Sequence, residues 1–393
     1  MRQGPAVAAA SSAMQSPPPE VLFADELAFL EALDGGSRPP GFRLTASAII
    51  TFVMGSAGEA LKLPKGAKPK KDVPSKLVIS PKFVGSRPLV ERAVITLAGE
   101  RGLLLVGEPG TAKSMVSELL AAAICGTSAL TVQGTAGTNE DQLRYGWNYA
   151  LLLAKGPHPA AIVASPVLTA MRGGAIARIE EVTRCLPEVQ DALVSILSDR
   201  RIAVPELSGD TPHVEHARPG FNVIATANLR DRCVSEMSAA LKRRFNFETV
   251  PPIASAKAEA TLVRDRATRT LEASGQRLAV DDVVLQALVT VFRDLRLGRT
   301  EEGYAVEKTS AVMSTAEAVS VATSLGLQQT YLPSDRDPLR MLPGYLLGVA
   351  RKDDEKDRAR LLAYWDGPVK RRADAKDRIW QTLSELRDVL EGE

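Results

Sequence analysis

The stretch Leu103-Leu104-Leu105-Val106-Gly107-Glu108-Pro109-Gly110-Thr111-Ala112-Lys113-Ser114-Met115-Val116 decides how this chain is read. Residues 103–106 form an apolar run of strand length. A glycine-containing turn follows. Val116, Leu119, Leu120, Ala123 and Ile124 then recur at helical spacing. Strand, small-residue loop and helix in that order are the setting that a phosphate-binding loop requires. Small residues let backbone N–H groups face a phosphate, and the helix N-terminus adds partial positive charge. In that setting Lys113 reaches the β- and γ-phosphates and the Ser114 hydroxyl can ligate Mg²⁺. The plainer alternative is a turn that only starts a helix. Such loops ordinarily carry glycine where this chain has Ala112, and alanine fits if it enters the helix with negative φ. Nucleotide contacts are expected from Gly107 through Met115.

Outward from the loop, strands are expected at Ala129–Val132, Ile176–Ile179 and Phe221–Ala227. Leu186, Val189, Leu193, Ile196 and Leu197 make a helical stripe between the last two. Strands alternating with helices predict an α/β domain whose parallel sheet is covered on both faces. The third strand ends in Ile179-Glu180-Glu181-Val182. Acids at the carboxyl end of a buried parallel strand point into the crevice where ligands bind. There Glu180 would hold hydrated Mg²⁺, and Glu181 would polarise an attacking water. Two solvated acids opening the next helix are the alternative. Arg178 is unexpected in so apolar a strand and, if buried, needs an acidic or carbonyl partner. The fourth strand ends at Asn228, which can orient a lytic water or simply form a turn. Arg243 and Arg244, in Leu241-Lys242-Arg243-Arg244-Phe245, can neutralise transition-state charge in a neighbouring subunit or form an exposed basic helix end.

Phosphate loop, acidic pair, strand-tip asparagine and arginine pair run in the order found in AAA+ ATPases. EEVTRCLPEVQDALVSILSDRRIAVPE, GFNVIATANLRDR and SAALKRRFN resemble the MoxR branch of that class, with Arg184 following the acidic pair. The resemblance is strong over residues 82–250 and weaker beyond. It implies an AAA+ core with a five-stranded parallel sheet, an all-α lid, and hexameric rings holding ATP and Mg²⁺ between subunits. It also implies a remodelling role on partner proteins, often ones with a von Willebrand factor A domain. Carried over, Lys113 and Ser114 bind phosphate and Mg²⁺, Glu181 is the catalytic base, Asn228 the first sensor and Arg244, ahead of Arg243, the arginine finger. Two positions depart from the pattern. Glu180 stands where the family has aspartate, although the ARIEE-VTR form resembles a sub-branch. Ala316, in MSTAEAV, stands where a second-sensor arginine is expected, with Arg336 or Arg340 as substitutes. Slow hydrolysis is the expectation.

The remaining chain sets the frame. Its 393 residues predict two or three domains, and 45% hydrophobic with 24% charged residues is ordinary for a globular protein. The segments are a disordered tail (1–20), a small helical element (21–61), a Lys/Pro-rich linker (62–76), the nucleotide-binding domain (77–250) and a C-terminal helical lid (251–393). Stripes at Val284, Leu288, Val291, Phe292 and Leu295, and at Ile379, Leu383, Leu386 and Leu390, mark the lid as helical. The linker reads as solvated or as a basic arm for an acidic partner. Cys125, Cys185 and Cys233 are unpaired in spacing and fit a reducing compartment. His213 and His216 flank Glu215 in a polar loop, with a metal site as the other reading. No apolar run approaches the ~18 residues that span a bilayer, so a cytoplasmic protein is expected. Tyr145, Trp147 and Tyr149 alternate with period two and are expected on one strand face, either packed or gripping a substrate. A net charge of +2 is too mild to argue for nucleic acid as the partner; a nucleic-acid translocase on the same fold and a slow-turnover nucleotide-dependent scaffold are the competing classes.

Overall fold

The computed structural model describes residues 16–64, 66, 73–207, 211–228, 236–273, 281–332, 337–351, 354 and 356–391. Five strands build its central sheet: β1 (Gly102–Val106), β2 (Thr131–Gln133), β3 (Ile176–Glu180), β4 (Asn222–Ala227) and β5 (Phe245–Thr249). Their spatial order is β5-β1-β4-β3-β2, and every neighbouring pair is parallel. All residues of β1, β3 and β4 are buried, as a sheet covered on both faces demands. The second strand starts two residues later than its apolar pattern suggests, because Thr131 N–H closes a turn onto the Ala129 carbonyl.

Period-two alternation divides β1 between two cores. Leu103 and Leu105 pack with helices α1 (Ala24–Leu33), α2 (Ala46–Met54), α3 (Arg87–Ala98) and α4 (Lys113–Cys125). Leu104 and Val106 pack with α5 (Pro166–Gly173) and α6 (Pro187–Asp199). The N-terminal helices are therefore part of the sheet's own core. Lys82 is buried there, with Nζ 2.5 Å from Glu26 and 4.7 and 4.4 Å from the Phe23 and Phe52 ring centroids. A buried ammonium survives because the carboxylate and both aromatic faces replace water.

Two expected stripes are altered. Leu186 lies outside its helix as the N-cap of α6, ahead of Pro187, and is 47% exposed. The C-terminal stripe is split between helices Arg378–Ser384 and Arg387–Glu391, with Leu383 and Leu390 buried. The aromatic alternation also ends early. Tyr145 and Trp147 share a strand face, their rings edge to face at 5.9 Å, but Tyr149 opens a helix and is 70% exposed. Asn148 accepts a hydrogen bond from Leu151 N–H and so caps that helix. The Tyr145 hydroxyl donates to Glu206 at 2.8 Å; burial and this carboxylate push it up to about 12.

The chain divides into two units. One holds the residues up to Gly107 and Ala112–Val250; the other holds Glu108–Thr111 and the chain from Pro251 on. The second unit is helical: α7 (Ala256–Ala273), α8 (Asp282–Leu297), α9 (Thr315–Tyr331), α10 (Pro338–Ala350) and shorter helices reaching Glu391. Local signals start these helices. Asp281 and Asp337 cap α8 and α10, and Ser314 with Glu317 forms a capping box on α9. Among the described residues no helix is long and apolar enough to cross a membrane.

The helical core encloses a fully buried carboxylate, Glu259. It accepts from Arg296 at 2.7 and 2.9 Å, Arg293 at 3.0 Å and the Thr315 hydroxyl at 2.6 Å, joining α7, α8 and α9. Glu259→Ala strands two guanidinium groups and is expected to destabilise this unit by about 3–5 kcal/mol. Urea denaturation of the full chain measures it. A loss under ~1 kcal/mol would show that the cluster is not the unit's anchor.

Candidate functional site

The strand ends set the site. Ala227 pairs with Val106 and Ala225 with Ile179, so Gly107, Glu181 and Asn228 leave three adjacent strands at one edge of the sheet. Open parallel sheets bind ligands at this edge.

The loop from Gly107 to Ser114 joins β1 to α4. Lys113 is 7% exposed, and its Nζ donates to the Gly107 carbonyl at 3.1 Å. The Thr111 hydroxyl closes the turn onto the Glu108 carbonyl at 2.9 Å. Met115 is half-buried and packs with the sheet's first core. Ala112 overturns the expectation of negative φ: it sits at φ 69°, ψ 23°, the left-handed region. The loop keeps the backbone that glycine would supply and imposes it on alanine, a strain of about 1 kcal/mol.

Glu180 occupies the centre. Its carboxylate accepts 2.7 Å hydrogen bonds from the hydroxyls of Ser114, Ser117 and Thr226 and from the Arg178 guanidinium. Burial pushes this carboxyl up, but the hydroxyl bonds and the Arg178 charge outweigh it and hold it below the usual carboxylate range. Glu180 is thus ionised at neutral pH. It meets Ser114, its expected partner in holding a metal, from across the sheet.

Arg178 finds the partners its burial requires. Besides Glu180, it donates to Ser117 Oγ at 2.9 Å, the Ser128 carbonyl at 2.8 Å and Thr131 Oγ1 at 3.0 Å, with Glu118 at 3.4 Å. Arg178 and Glu180, two apart on β3, face α4 together.

Glu181 also adopts left-handed backbone, at φ 54° and ψ 47°, and its N–H donates to Thr226 Oγ1 at 2.9 Å. Its carboxylate is partly exposed and lies 2.7 Å from Arg184 Nε. A Cβ at Gly134 would stand 2.4 and 2.8 Å from the Glu181 and Glu180 carbonyl oxygens, so only glycine lets β2 pass this turn. Asn228 is 9% exposed, and its Oδ1 finds no hydrogen-bond partner among the described residues. A buried polar atom left open at a strand tip suits a ligand or its water.

Arg243 and Arg244 lie elsewhere. They precede β5, and Gly102 N–H donates to the Arg244 carbonyl at 2.9 Å, which puts both at the amino end of the sheet. Five residues of β1 separate that end from the phosphate loop, about 16 Å at strand rise. Arg244 donates to Ser198 Oγ at 2.8 Å and the Ala240 carbonyl at 2.9 Å, whereas Arg243 is exposed. Neither joins this chain's own site. In the helical unit Ala316 is the second residue of α9, and Arg340 on α10 pairs with Glu385 at 3.2 Å. Arg336 and Cys233 fall outside the described residues. His213 lies 3.4 Å from Glu215, which Arg172 holds with two donors.

Sequence reading missed Ser117, Thr226 and Gly134. Period two from Asn228 points to Thr226, and one helical turn from Ser114 points to Ser117, but nothing in the chain says both face Glu180. Ala112→Gly should stabilise the protein by about 0.5 kcal/mol, the left-handed penalty less the extra freedom of unfolded glycine. Thermal denaturation tests this; a destabilised variant would refute the strained geometry.

Comparison with known proteins fits this geometry. Residues 102–245 match the family described as AAA domain (dynein-related subfamily), and residues 257–391 match the YehL-like AAA+ ATPase C-terminal domain. The chain is 46% identical to the uncharacterized protein YehL of Escherichia coli K12, over 96% of this chain and 98% of that one. It is 25% identical to an uncharacterized protein of Staphylococcus haemolyticus, over 58% of this chain and 81% of that one. NtrX from Brucella abortus in complex with ADP aligns over 79% of this chain and 67% of its own, at 14% identity and a TM-score of 0.45. With two adjoining domain matches and a full-length relative, this chain belongs to the YehL-like family of AAA+ ATPases.

Proposed function

We propose that this protein binds ATP with Mg²⁺ over Gly107–Ser114, hydrolyses it, and works as a MoxR-type hexameric ring that rearranges a partner protein. The convergence of Lys113, Ser114, Glu180, Glu181 and Asn228 at the edge formed by β1, β3 and β4 carries this reading. The site fits the nucleotide: a lysine at the loop, hydroxyl and carboxylate oxygens of the kind Mg²⁺ prefers, and an open amide oxygen at Asn228. When bound, Mg²⁺ supplies charge neutralisation at the phosphates. Lys113 binds phosphate, Glu181 accepts a proton from the attacking water, and Asn228 orients that water.

Ring assembly draws support from the arginine pair. Residues about 16 Å from their own phosphate loop act on nucleotide only in another subunit. The exposed Arg243 suits that role better than Arg244, which is tied to Ser198 and Ala240. The client, an adaptor or substrate carrying a von Willebrand factor A domain, rests on the MoxR resemblance alone. Slow basal turnover has an observation in its favour: Arg184 already engages the Glu181 carboxylate.

Glu181→Gln is expected to keep ATP binding and lower phosphate release by at least ~100-fold. Capture of this variant with ATP is expected to recover rings with a bound client. Native turnover no faster than that of Glu181→Gln would sink hydrolysis and leave a nucleotide-dependent scaffold. Recovery of bare monomers would sink the ring.

A further inference from the structure

Resting on the nucleotide-binding reading above, we infer that Arg178 is a built-in counter-cation for Glu180, so this carboxylate is already neutralised before nucleotide arrives.

The contacts behind this are unusual for a strand interior. Arg178 and Glu180 meet at 2.7 Å with side chains 5% and 8% exposed. Ser117 Oγ joins them a second way, accepting from Arg178 Nε and donating to Glu180 Oε1. One carboxylate oxygen, Oε1, is thus committed to Arg178 and Ser117. The other, Oε2, takes the Ser114 and Thr226 hydroxyls. The Ser128 carbonyl and Thr131 hydroxyl hold the guanidinium in place from β2 and the turn before it.

Two consequences follow from this division. First, the length of the Glu180 side chain lets one carboxylate touch both Arg178 and Ser114. Second, the charge of the pair sums to zero. Glu118 is the other acid at Arg178, at 3.4 Å, but it is 41% exposed and does not touch Glu180's oxygens, so it stands outside the pair. A divalent cation therefore meets a neutralised carboxylate and one hydroxyl in the protein alone. The attraction it needs comes with the phosphates. Arg178 is on this view a positioning residue that makes metal binding depend on nucleotide.

Thermal denaturation of the full chain with Mg²⁺ alone, ATP with EDTA, or both tests this. Native protein is expected to ignore Mg²⁺ alone up to about 10 mM and to respond to ATP with Mg²⁺. Arg178→Met leaves Glu180 unneutralised and should respond to Mg²⁺ alone at about tenfold lower concentration than native protein. Arg178→Lys keeps the charge and should remain indifferent. Glu180→Asp withdraws the carboxylate from Arg178 and should gain the response too; it carries the test if Arg178→Met does not fold. A native response to Mg²⁺ alone equal to that of the variants overturns the proposal. So does a folded Glu180→Asp that binds ATP with Mg²⁺ but ignores Mg²⁺ alone. Failure of native protein to respond to ATP under any condition rejects nucleotide binding instead, and the metal-alone comparison still stands.

Discussion

A carboxylate buried at 6% exposure must be surrounded by donors or it will protonate, and Glu180 has four, all at 2.7 Å. The donors come from three elements. Ser114 and Ser117 lie on α4, Thr226 on β4, and Arg178 on the same strand as Glu180. Each bond to an ionised oxygen is stronger than its neutral counterpart. Together they fix the start of α4 against the ends of β3 and β4. The loop 107–112 runs from the end of β1 into that helix start.

Backbone strain gathers at the same edge. Ala112 and Glu181 both hold left-handed conformations that favour glycine. Neither would persist in an isolated peptide. Ala112 leads directly into α4, and Glu181 is held by the bond from its N–H to Thr226. Gly134 completes the arrangement by yielding the space that the two carbonyls of the acidic pair require. Strain of this kind lasts only where the surroundings over-determine it, and it turns the Glu181 carboxylate away from the buried Glu180 towards Arg184.

The helical unit uses the same electrostatic logic to a different end. Glu259 with Arg293 and Arg296, and Asp294 with Arg372 and the buried Tyr364 hydroxyl, tie helices together from within. These groups fix how the helices pack and none is required by apolar periodicity, which explains why the stripes on α8 were readable while its buried charges were not.

The chain by itself determined the α/β core, four of the five strands along it, and the loop and acidic pair that follow two of them. Each of these is a local pattern: an apolar run, a helical stripe, a glycine-bearing turn between them. Sequence alone also exposed the anomalies, Arg178 and Glu180, without linking them. Tertiary structure decided the rest. It made Arg178 the partner of Glu180, gave Ser117 and Thr226 their roles, set Ala112 at positive φ, moved Tyr149 off its strand, and placed Arg243 and Arg244 at the far end of the sheet. The physical reason is that the hydrogen bonds around Glu180 join residues far apart in the chain, 46 apart for Thr226 and 66 for Ser114. Local spacing constrains which face a side chain takes, but only the register of β3 against β4 and the docking of α4 decide what it meets there.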